Sequence, residues 1–304
     1  MIDELRQKYS LKILLGVSGL PRSTYSYHKS DKHQQIVSRQ QKEDARILGL
    51  IQPVFKHHKS RYGFRRIILA LQEELAGINH KRIQRIMREN GLIGKQGANG
   101  RYHSYKGDNG EFKENLLLRR EVDRKDHKTV YVRDFSTTKS NEIWTTDVSQ
   151  FNGPGGKLYL SPIMDMHDGS IVSYDISERP DFTQTKRMLD RAFEDNPVFE
   201  GLIFHSDQGW QYQMKQFQEW LKDRGIRQSF SRKGNCMDNS LMENFFGIMK
   251  NEMYYGYEFK TINDLRFAME EYIRYYNCER INAKRKGLSP LEYRQQSLSL
   301  QLNV

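Results

Sequence analysis

The order of apolar segments between residues 144 and 230 constrains the fold of this chain more than any other feature of its sequence. Three runs rich in β-forming residues come first, and the His167–Asp168–Gly169 step between the second and third is typical of a hairpin. Helical and strand-like segments then alternate along the chain. The predicted strands are 144–151, 158–166, 170–176, 202–204 and 226–230, and the predicted helices are 182–193 and 214–224. Three antiparallel strands followed by alternating helix and strand predict a mixed five-stranded sheet with helices packed against it.

This order is the one expected of a ribonuclease-H-like α/β fold, and it brings acidic residues from distant positions close together. Asp147 lies near the middle of the first predicted strand and Asp207 at the end of the fourth, so the two are expected on neighbouring strands. A third carboxylate, Glu243, falls in a helix whose N-terminus Asp238 or Asn239 is able to cap. Three carboxylates are therefore predicted to meet in one site.

Carboxylates gathered in this way favour magnesium. Mg²⁺ prefers oxygen ligands, keeps several of its waters, and is usually held by one or two carboxylates together with substrate phosphates. Two such ions about 4 Å apart activate an attacking oxygen and stabilise a leaving oxygen during in-line phosphoryl displacement. The acids therefore predict metal-dependent chemistry on a nucleic-acid backbone. The alternative interpretation is that they are three unrelated surface acids.

The segments around these acids are WTTD, HSDQGWQY and SRKGNCMDNSLMENFFGIMKNE. Together they resemble the catalytic blocks of DDE transposases, in particular the second-reading-frame proteins of the insertion-sequence-three family, which are relatives of retroviral integrases. The similarity runs from about residue 40 to about residue 295. The resemblance implies that Asp147, Asp207 and Glu243 are the catalytic residues and the ligands of two Mg²⁺ ions, for which Mn²⁺ can substitute.

Further side chains near the acids carry weaker predictions. Lys250 lies seven residues after Glu243 on the same helix face, and the resemblance implies that it holds a DNA phosphate; an ordinary helix-surface lysine is the alternative. His205 is interpreted as a structural support of the metal ligands, because a two-metal mechanism needs no separate general base. Asp165, a fourth carboxylate on the second predicted strand, is interpreted as a structural acid or as an outer support of the metal ligands. The loop before the helix that contains Glu243 resembles the family's active-site loop, and DNA contact is predicted for Arg232, Lys233 and Asn235.

Charge is distributed unevenly along the chain, whose formal net charge is +11. Residues 1–140 carry 29 Lys and Arg against 15 Asp and Glu, whereas residues 141–304 carry 20 against 23. A basic surface raises the rate of association with polyanions and strengthens non-specific binding to them. That binding weakens as the salt concentration rises, because it depends on the release of condensed counterions. The basic half is therefore predicted to dock DNA; the alternative is a solvated basic face without a partner.

Two helical regions within the basic half have patterns suited to DNA. The stretch LLGVSGLPRSTYSYHK reads as helix, turn, helix, with the second helix beginning at Pro21 and Arg22 near its start, the end that contacts bases and phosphates in helix-turn-helix proteins. A second helical set follows over residues 41–92. Its basic residues spread over more than one helix face, so some are solvated; Lys81, Arg82 and Arg85 are the favoured DNA contacts.

The predicted domains are a helix-turn-helix segment (1–35), a helical DNA-binding domain (40–93), a basic linker (94–138), an integrase-like catalytic core (139–296) and a tail (297–304). Two cysteines are too few for a disulfide framework or zinc cluster. No apolar run approaches the roughly 18 residues that span a bilayer, and a secretion-signal pattern is absent from the sequence. The predicted location is the cytoplasm, with nucleoid association when DNA is bound.

The predicted function is a transposase that binds the terminal repeats of an insertion sequence, cleaves DNA and transfers the 3′-hydroxyl strand. Its predicted partners are the element ends and target DNA, further copies of the chain on DNA, and a separate first-frame protein. Two alternatives stay open at this point. One is a DNA-binding regulator that is inactive without the first-frame partner, and the other is a ribonuclease-H-like nuclease that only hydrolyses.

Overall fold

The computed structural model describes residues 2–95, 114–122, 129–195, 200–233 and 235–302. The chain divides into two compact units, Met1–Gly94 and Lys95–Val304. Within the described residues, no helix is both long enough and apolar enough to cross a membrane.

The first unit is helical. Its helices are α1 (Ile2–Leu5), α2 (Leu11–Ser18), α3 (Arg22–Lys29), α4 (Asp31–His57), α5 (Phe64–Ala70) and α6 (His80–Glu89). Helix α2 is followed by Gly19, whose backbone is in the left-handed region with φ of 67°, a conformation that glycine adopts without strain. Pro21 precedes α3, so that helix begins at Arg22, one residue later than predicted. Helix α4 runs through residues 36–40 without a break, so the segments 1–35 and 40–93 share one helix.

A two-stranded antiparallel hairpin opens the described part of the second unit. Strand β1 (Leu118–Val122) pairs with strand β2 (Thr129–Arg133), with Leu118 opposite Arg133. This hairpin falls inside the predicted basic linker 94–138. Residues 96–113 and 123–128 of that linker lie outside the described residues.

The main sheet has the predicted mixed order. Its strands are β3 (Ile143–Thr146), β4 (Ser149–Gly153), β5 (Gly156–Asp165), β6 (Ile171–Ser177), β7 (Ile203–Ser206) and β8 (Arg227–Phe230). Strand β5 pairs antiparallel with β6 on one side and with β3 and β4 on the other. On the far side of β3, β7 and β8 join in parallel. The predicted ribonuclease-H-like architecture is confirmed by this topology.

The first predicted strand, 144–151, is divided at Asp147, which is why six strands replace the predicted five. Thr146 pairs with Ile163 and Ser149 pairs with Leu160, so β3 and β4 keep one register along β5. That register places Pro162 opposite Asp147. Proline has no backbone N–H to donate, and a ladder hydrogen bond is therefore missing at this position. The break comes from the partner strand, and it releases Asp147 from regular pairing.

Helices flank the sheet and close the core. They are α7 (Phe182–Asp195), α8 (Trp210–Gln213), α9 (Lys215–Lys222), α10 (Ser240–Met249), α11 (Ile262–Cys278) and α12 (Pro290–Leu302). A 3₁₀ turn, Cys236–Asn239, leads into α10, and a π-helical turn, Lys250–Tyr254, follows it. Trp144, Phe204 and Phe217 are fully buried in the cluster between the sheet and the helices α7 and α9. This apolar cluster holds rigid the strands whose ends carry the acids.

Candidate active site

Asp147 and Asp207 lie side by side at one edge of the sheet. Thr146 pairs with Ser206 in the parallel ladder between β3 and β7, so the next residue of each strand is an acid. The hydroxyl of buried Tyr212 lies 3.4 Å from Thr146 Oγ1. Burial raises the pKa of this phenol, and the negative charges of Asp207 and Asp147 raise it further. Tyr212 is thus close to both carboxylates, and the structure brings the first two predicted acids together.

Backbone geometry holds each of these acids. The amide of Val148 donates to Asp147 Oδ1 at 2.7 Å, and the amide of Gly209 donates to Asp207 Oδ1 at 2.9 Å. A Cβ at Gly209 would lie 3.0 Å from that same oxygen and 2.8 Å from Gln211 Nε2, so these two side chains would have to shift to accept one. Burial raises the pKa of Asp207 against the opposing effect of the Gly209 amide. Burial therefore disfavours the ionised form, and a bound cation would restore it.

Helix α10 carries Glu243, and its start is fastened to strand β3. Thr145 Oγ1 donates to Asn239 Oδ1 at 2.6 Å, and Asn239 Nδ2 donates to the Thr146 carbonyl at 3.0 Å. Asn239 precedes α10 in the N-cap position but makes no side-chain cap there. The prediction that Asp238 or Asn239 caps this helix is therefore wrong, because both side chains bind other partners. Glu243 itself is half-buried, one turn beyond Asn239.

His205 is buried behind the acids. Its Nδ1 lies 2.9 Å from Ser229 Oγ, and its Nε2 lies 3.1 Å from both Ser231 Oγ and the Asp238 carbonyl oxygen. Burial lowers the pKa of His205 to about 4, outweighing the bond to Asp238. A neutral ring that holds β7, β8 and the loop before α10 supports a structural role rather than proton transfer.

The loop before α10 is organised on the buried carboxylate of Asp238. Arg232 donates to both carboxylate oxygens, from Nε at 2.9 Å and from Nη2 at 2.8 Å. Asn235 Oδ1 accepts from Arg133 Nη2 at 2.9 Å. Lys233 is exposed. Arg232 and Asn235 thus bind other parts of the protein, and DNA binding by the loop stays a prediction.

Lys250 is half-buried and follows α10 directly. Its Nζ lies 5.2 Å from the centre of the Phe151 ring, a cation–π geometry. Burial lowers the pKa of Lys250, while the charge of Asp147 opposes that shift. The ammonium group therefore stands within electrostatic reach of Asp147.

The predicted DNA contacts of the first unit differ in their surroundings. Arg22, the first residue of α3, and Lys81 are exposed. Arg82 Nε lies 2.7 Å from Asp44 Oδ1, and Arg85 Nη2 lies 2.6 Å from Asp44 Oδ2. Arg82 and Arg85 thus tie α6 to α4, which favours a structural role for them and leaves Arg22 and Lys81 better placed for a ligand.

Asp165 lies at the opposite end of β3, where it faces Trp144. It is fully buried and accepts the amides of Asn141 at 2.7 Å and His167 at 2.9 Å. Arg294 Nη2 lies 3.4 Å from its carboxylate. This placement separates Asp165 from the Asp147 edge and supports the structural interpretation.

Sequence reasoning missed several residues that shape the site. Tyr212 lies in the HSDQGWQY segment, but the sequence alone indicates no role for it. The sequence suggests that Asn239 caps α10 or belongs to the polar loop before it, but not that its amide links α10 to β3. Arg133 and Asn115 bind Asp238 from more than 100 positions away, and no local pattern in the sequence signals such a contact.

The donor set suits magnesium in chemistry. Asp147 and Asp207 offer two carboxylates at one sheet edge, and that number is enough for Mg²⁺ when phosphate oxygens and water supply the rest. Over the described ranges, no three acidic, histidine or cysteine side chains are close enough to hold one ion together. Asp147, Asp207 and Glu243 therefore do not form a closed three-ligand cluster in this structure.

Three family models match parts of this chain. An integrase core domain model matches residues 137–236, a second integrase core model matches residues 243–298, and a helix-turn-helix-like domain model matches residues 42–98. The catalytic core of HTLV-2 integrase, solved in complex with magnesium, aligns with a TM-score of 0.40 and 20% identity over 51% of this chain and 97% of that one.

Curated relatives align over much longer stretches. InsK of Escherichia coli K12, assigned as a transposase to insertion sequence element IS150, is 42% identical over 98% of both chains. A transposase-like protein of Haemophilus influenzae Rd is 48% identical over 74% of this chain and 97% of its own. InsF, the transposase of insertion sequence IS3A in Escherichia coli, is 26% identical over 98% of both. The chain therefore belongs to the integrase-core transposases of bacterial insertion sequences, in the insertion-sequence-three family.

Proposed function

We propose that this transposase cleaves DNA at the ends of its insertion sequence and joins the freed 3′-hydroxyl to a second DNA phosphate, without a covalent enzyme intermediate. One observation carries the proposal. Asp147 and Asp207 follow the paired ends of β3 and β7, and the helix with Glu243 is fastened to the same strand through Asn239. This arrangement supports a site in which Asp147 and Asp207 act together with Glu243.

The side chains of the site would have two kinds of role: some bind metal ions and DNA phosphates, and others keep the protein elements in place. Asp147, Asp207 and Glu243 would hold two Mg²⁺ ions, or Mn²⁺ in their place, together with the DNA phosphate. Bound there, the ions supply activation of the attacking oxygen and stabilisation of the leaving oxygen. Lys250, within electrostatic reach of Asp147, would hold a neighbouring phosphate. Neutral His205 keeps β7, β8 and the loop before α10 in register.

DNA recognition is assigned to the basic first unit, with Arg22 and Lys81 as its contacts. We further propose that copies of the chain assemble on paired element ends in the cytoplasm, where a first-frame protein supplies additional DNA binding. If the purified chain alone is inactive, addition of the first-frame protein should then restore the reaction.

The proposal is tested with the purified chain, Mg²⁺ or Mn²⁺, and labelled duplexes that carry the element's terminal repeats. Asp207→Asn removes one ligand charge while preserving side-chain shape. Asp223→Asn is the matched control, because Asp223 is exposed at the end of α9. Cleaved and joined products are separated on denaturing gels.

Joined products that disappear in Asp207→Asn and persist in Asp223→Asn would support strand transfer. Cleavage without joining would indicate a hydrolysis-only nuclease. Specific binding without chemistry, even after addition of the first-frame protein, would indicate a regulator and would overturn the proposal.

A further inference from the structure

The hairpin β1–β2 precedes residue 137, where the match to the integrase core begins. It is nevertheless attached to the main sheet by hydrogen bonds. Its base is closed by the Asp134 amide, which donates to the Leu117 carbonyl at 2.8 Å. Next to it, the Leu116 amide donates to Ser229 Oγ at 3.0 Å, and Leu117 is buried. The described part of the predicted linker thus ends in a structured attachment beside β8.

Two side chains from the ends of this hairpin reach the loop before α10. Arg133 Nε donates to Asp238 Oδ1 at 2.7 Å, and Arg133 Nη2 donates to Asn235 Oδ1 at 2.9 Å. Asn115 Nδ2 donates to Asp238 Oδ2 at 3.0 Å. The guanidinium of Arg133 therefore spans the loop from Asn235 to Asp238, a fork geometry that lysine does not reproduce.

Asp238 stands two residues before α10, and the contacts continue from it into the active site. Its carbonyl oxygen lies 3.1 Å from His205 Nε2. The next residue, Asn239, bonds to Thr145 and to Thr146, the residue before Asp147. A displacement of Asp238 would therefore move Asn239 and, through the rigid helix, Glu243.

Arg133 is not needed to neutralise Asp238. Arg232 already binds both carboxylate oxygens from within the loop. Removal of Arg133 would leave Asp238 paired, so it avoids the large cost of an uncompensated buried charge. What Arg133 adds is a link from a separate element, and such a link fixes where the loop stands rather than whether it is neutral.

We propose that Arg133 and Asn115 are positioning residues for the transposition reaction, which set the start of helix α10 and thereby Glu243 relative to Asp147. The hairpin is on this basis a working part of the catalytic unit. The inference rests on the proposed function for its effect on catalysis, but its structural step stands independently.

The test compares Arg133→Ala with Arg119→Ala in the full chain. Arg119 lies on the same hairpin, is 64% exposed and binds Glu121 at 2.7 Å, with a longer contact to Asp134 at 3.9 Å. Its loss therefore removes an equal charge from contacts other than those to the loop. The first readout is hydrogen exchange of the α10 amides. The second is the Mg²⁺ concentration that gives half-maximal cleavage at saturating DNA.

Arg133→Ala is expected to speed exchange at the start of α10 and to raise the required Mg²⁺ concentration about 10- to 100-fold, the effect typical of losing a residue that orients a metal ligand. The KM for DNA should stay unchanged. Asn115→Ala should act in the same direction and more weakly, and Arg133→Lys should restore part of the loss. Arg119→Ala should match the wild type in both readouts.

Unchanged exchange at α10 would overturn the proposal. Faster exchange with an unaltered Mg²⁺ requirement would reduce Arg133 to a stabilising residue and would also overturn it, as would a raised KM for DNA alone. If the wild type and Arg119→Ala both fail to cleave, the proposed function has failed, and the exchange comparison alone decides whether the hairpin positions α10.

Discussion

Strand β3 has buried acids at both ends, and the two ends treat negative charge differently. At its start, Asp165 accepts two backbone amides, and Arg294 from α12 approaches both Asp165 and Asp168. At its end, Asp147 and Asp207 follow the paired ends of β3 and β7, and burial raises the pKa of Asp207 as it does that of Asp165. The protein supplies its own arginine at the first end, whereas the second end is suited to an external cation.

This difference separates a pair of acids with a structural role, Asp165 and Asp168, from a pair with a proposed catalytic role, Asp147 and Asp207. Burial and carboxylate type are shared by both ends, so neither property alone identifies an active site. What distinguishes them is the identity of the countercharge: Arg294 at the start of the strand, and the proposed metal and DNA at its end. Four predictions test the distinction.

The largest effect is expected from Asp147→Asn. If Asp147 holds a metal ion as proposed, its loss should lower strand cleavage roughly 1000-fold, equivalent to about 4 kcal/mol of transition-state stabilisation. The same change at the other end, Asp165→Asn, should leave cleavage within a few-fold wherever the protein is folded. Rates on a terminal-repeat duplex, with folding followed by circular dichroism, make the comparison. A folded but inactive Asp165→Asn protein would contradict the prediction, because Asp165 would then be needed for cleavage as Asp147 is.

Arg294→Ala should destabilise the fold by about 3 kcal/mol, because it leaves Asp165 and Asp168 buried without their cation. The free energy of unfolding, measured in urea, tests this. Arg274→Ala is the control, since Arg274 forms an exposed pair with Glu271 on α11 and should cost less than about 1 kcal/mol. Equal losses in the two variants would show that Arg294 is not the countercharge.

The pH dependence of stability should also distinguish the first end. Burial, together with the charge of Asp168, raises the pKa of Asp165 from 3.8 to about 6. The native protein therefore binds this proton more tightly than the unfolded chain. The stabilisation is fully present below pH 3.8 and is lost as pH rises through about 6.

Replacing the group with asparagine removes this titration. From pH 4 to pH 7, the unfolding free energy of Asp165→Asn relative to wild type should rise by about 2 to 3 kcal/mol. A flat difference for Asp165→Asn would mean that its carboxyl titrates normally.

Lys250→Met should give the smallest effect. If the ammonium group holds a DNA phosphate, cleavage should fall about tenfold, and the slope of log affinity against log salt should decrease by about 1. Lys215→Met is the control, because Lys215 lies exposed at the start of α9. A drop in cleavage with an unchanged salt slope would indicate that Lys250 acts on Asp147 rather than on DNA.

The elements of the sheet could be predicted because their cause is local. Runs of β-forming residues and helical periodicity decide them, and the helix predicted over 182–193 is observed as Phe182–Asp195. The division of the first strand could not be predicted from its own residues, since it follows from the position of Pro162 on β5, opposite Asp147. Strand register, which the sequence does not display, determines which residue faces Asp147.

The acids of the site could be chosen from their motifs, but their surroundings could not. Asp238 and Asn239 read locally as helix caps, which is the common use of those residue types. In the fold they bind Arg133 and the β3 backbone instead. Such contacts join residues 105 and 93 positions apart, and only the assembled sheet brings them within reach.

The position of Arg294 in the chain has a consequence for biosynthesis. A ribosome makes every strand of the sheet and helix α11 before it reaches this arginine in α12. Until then, a nascent chain that closes the sheet would bury Asp165 and Asp168 without their countercharge. Folding of the catalytic unit should therefore reach completion late in translation. Nascent chains interrupted before α12 would be open to proteases, and the cell would hold few shortened proteins with an assembled active site.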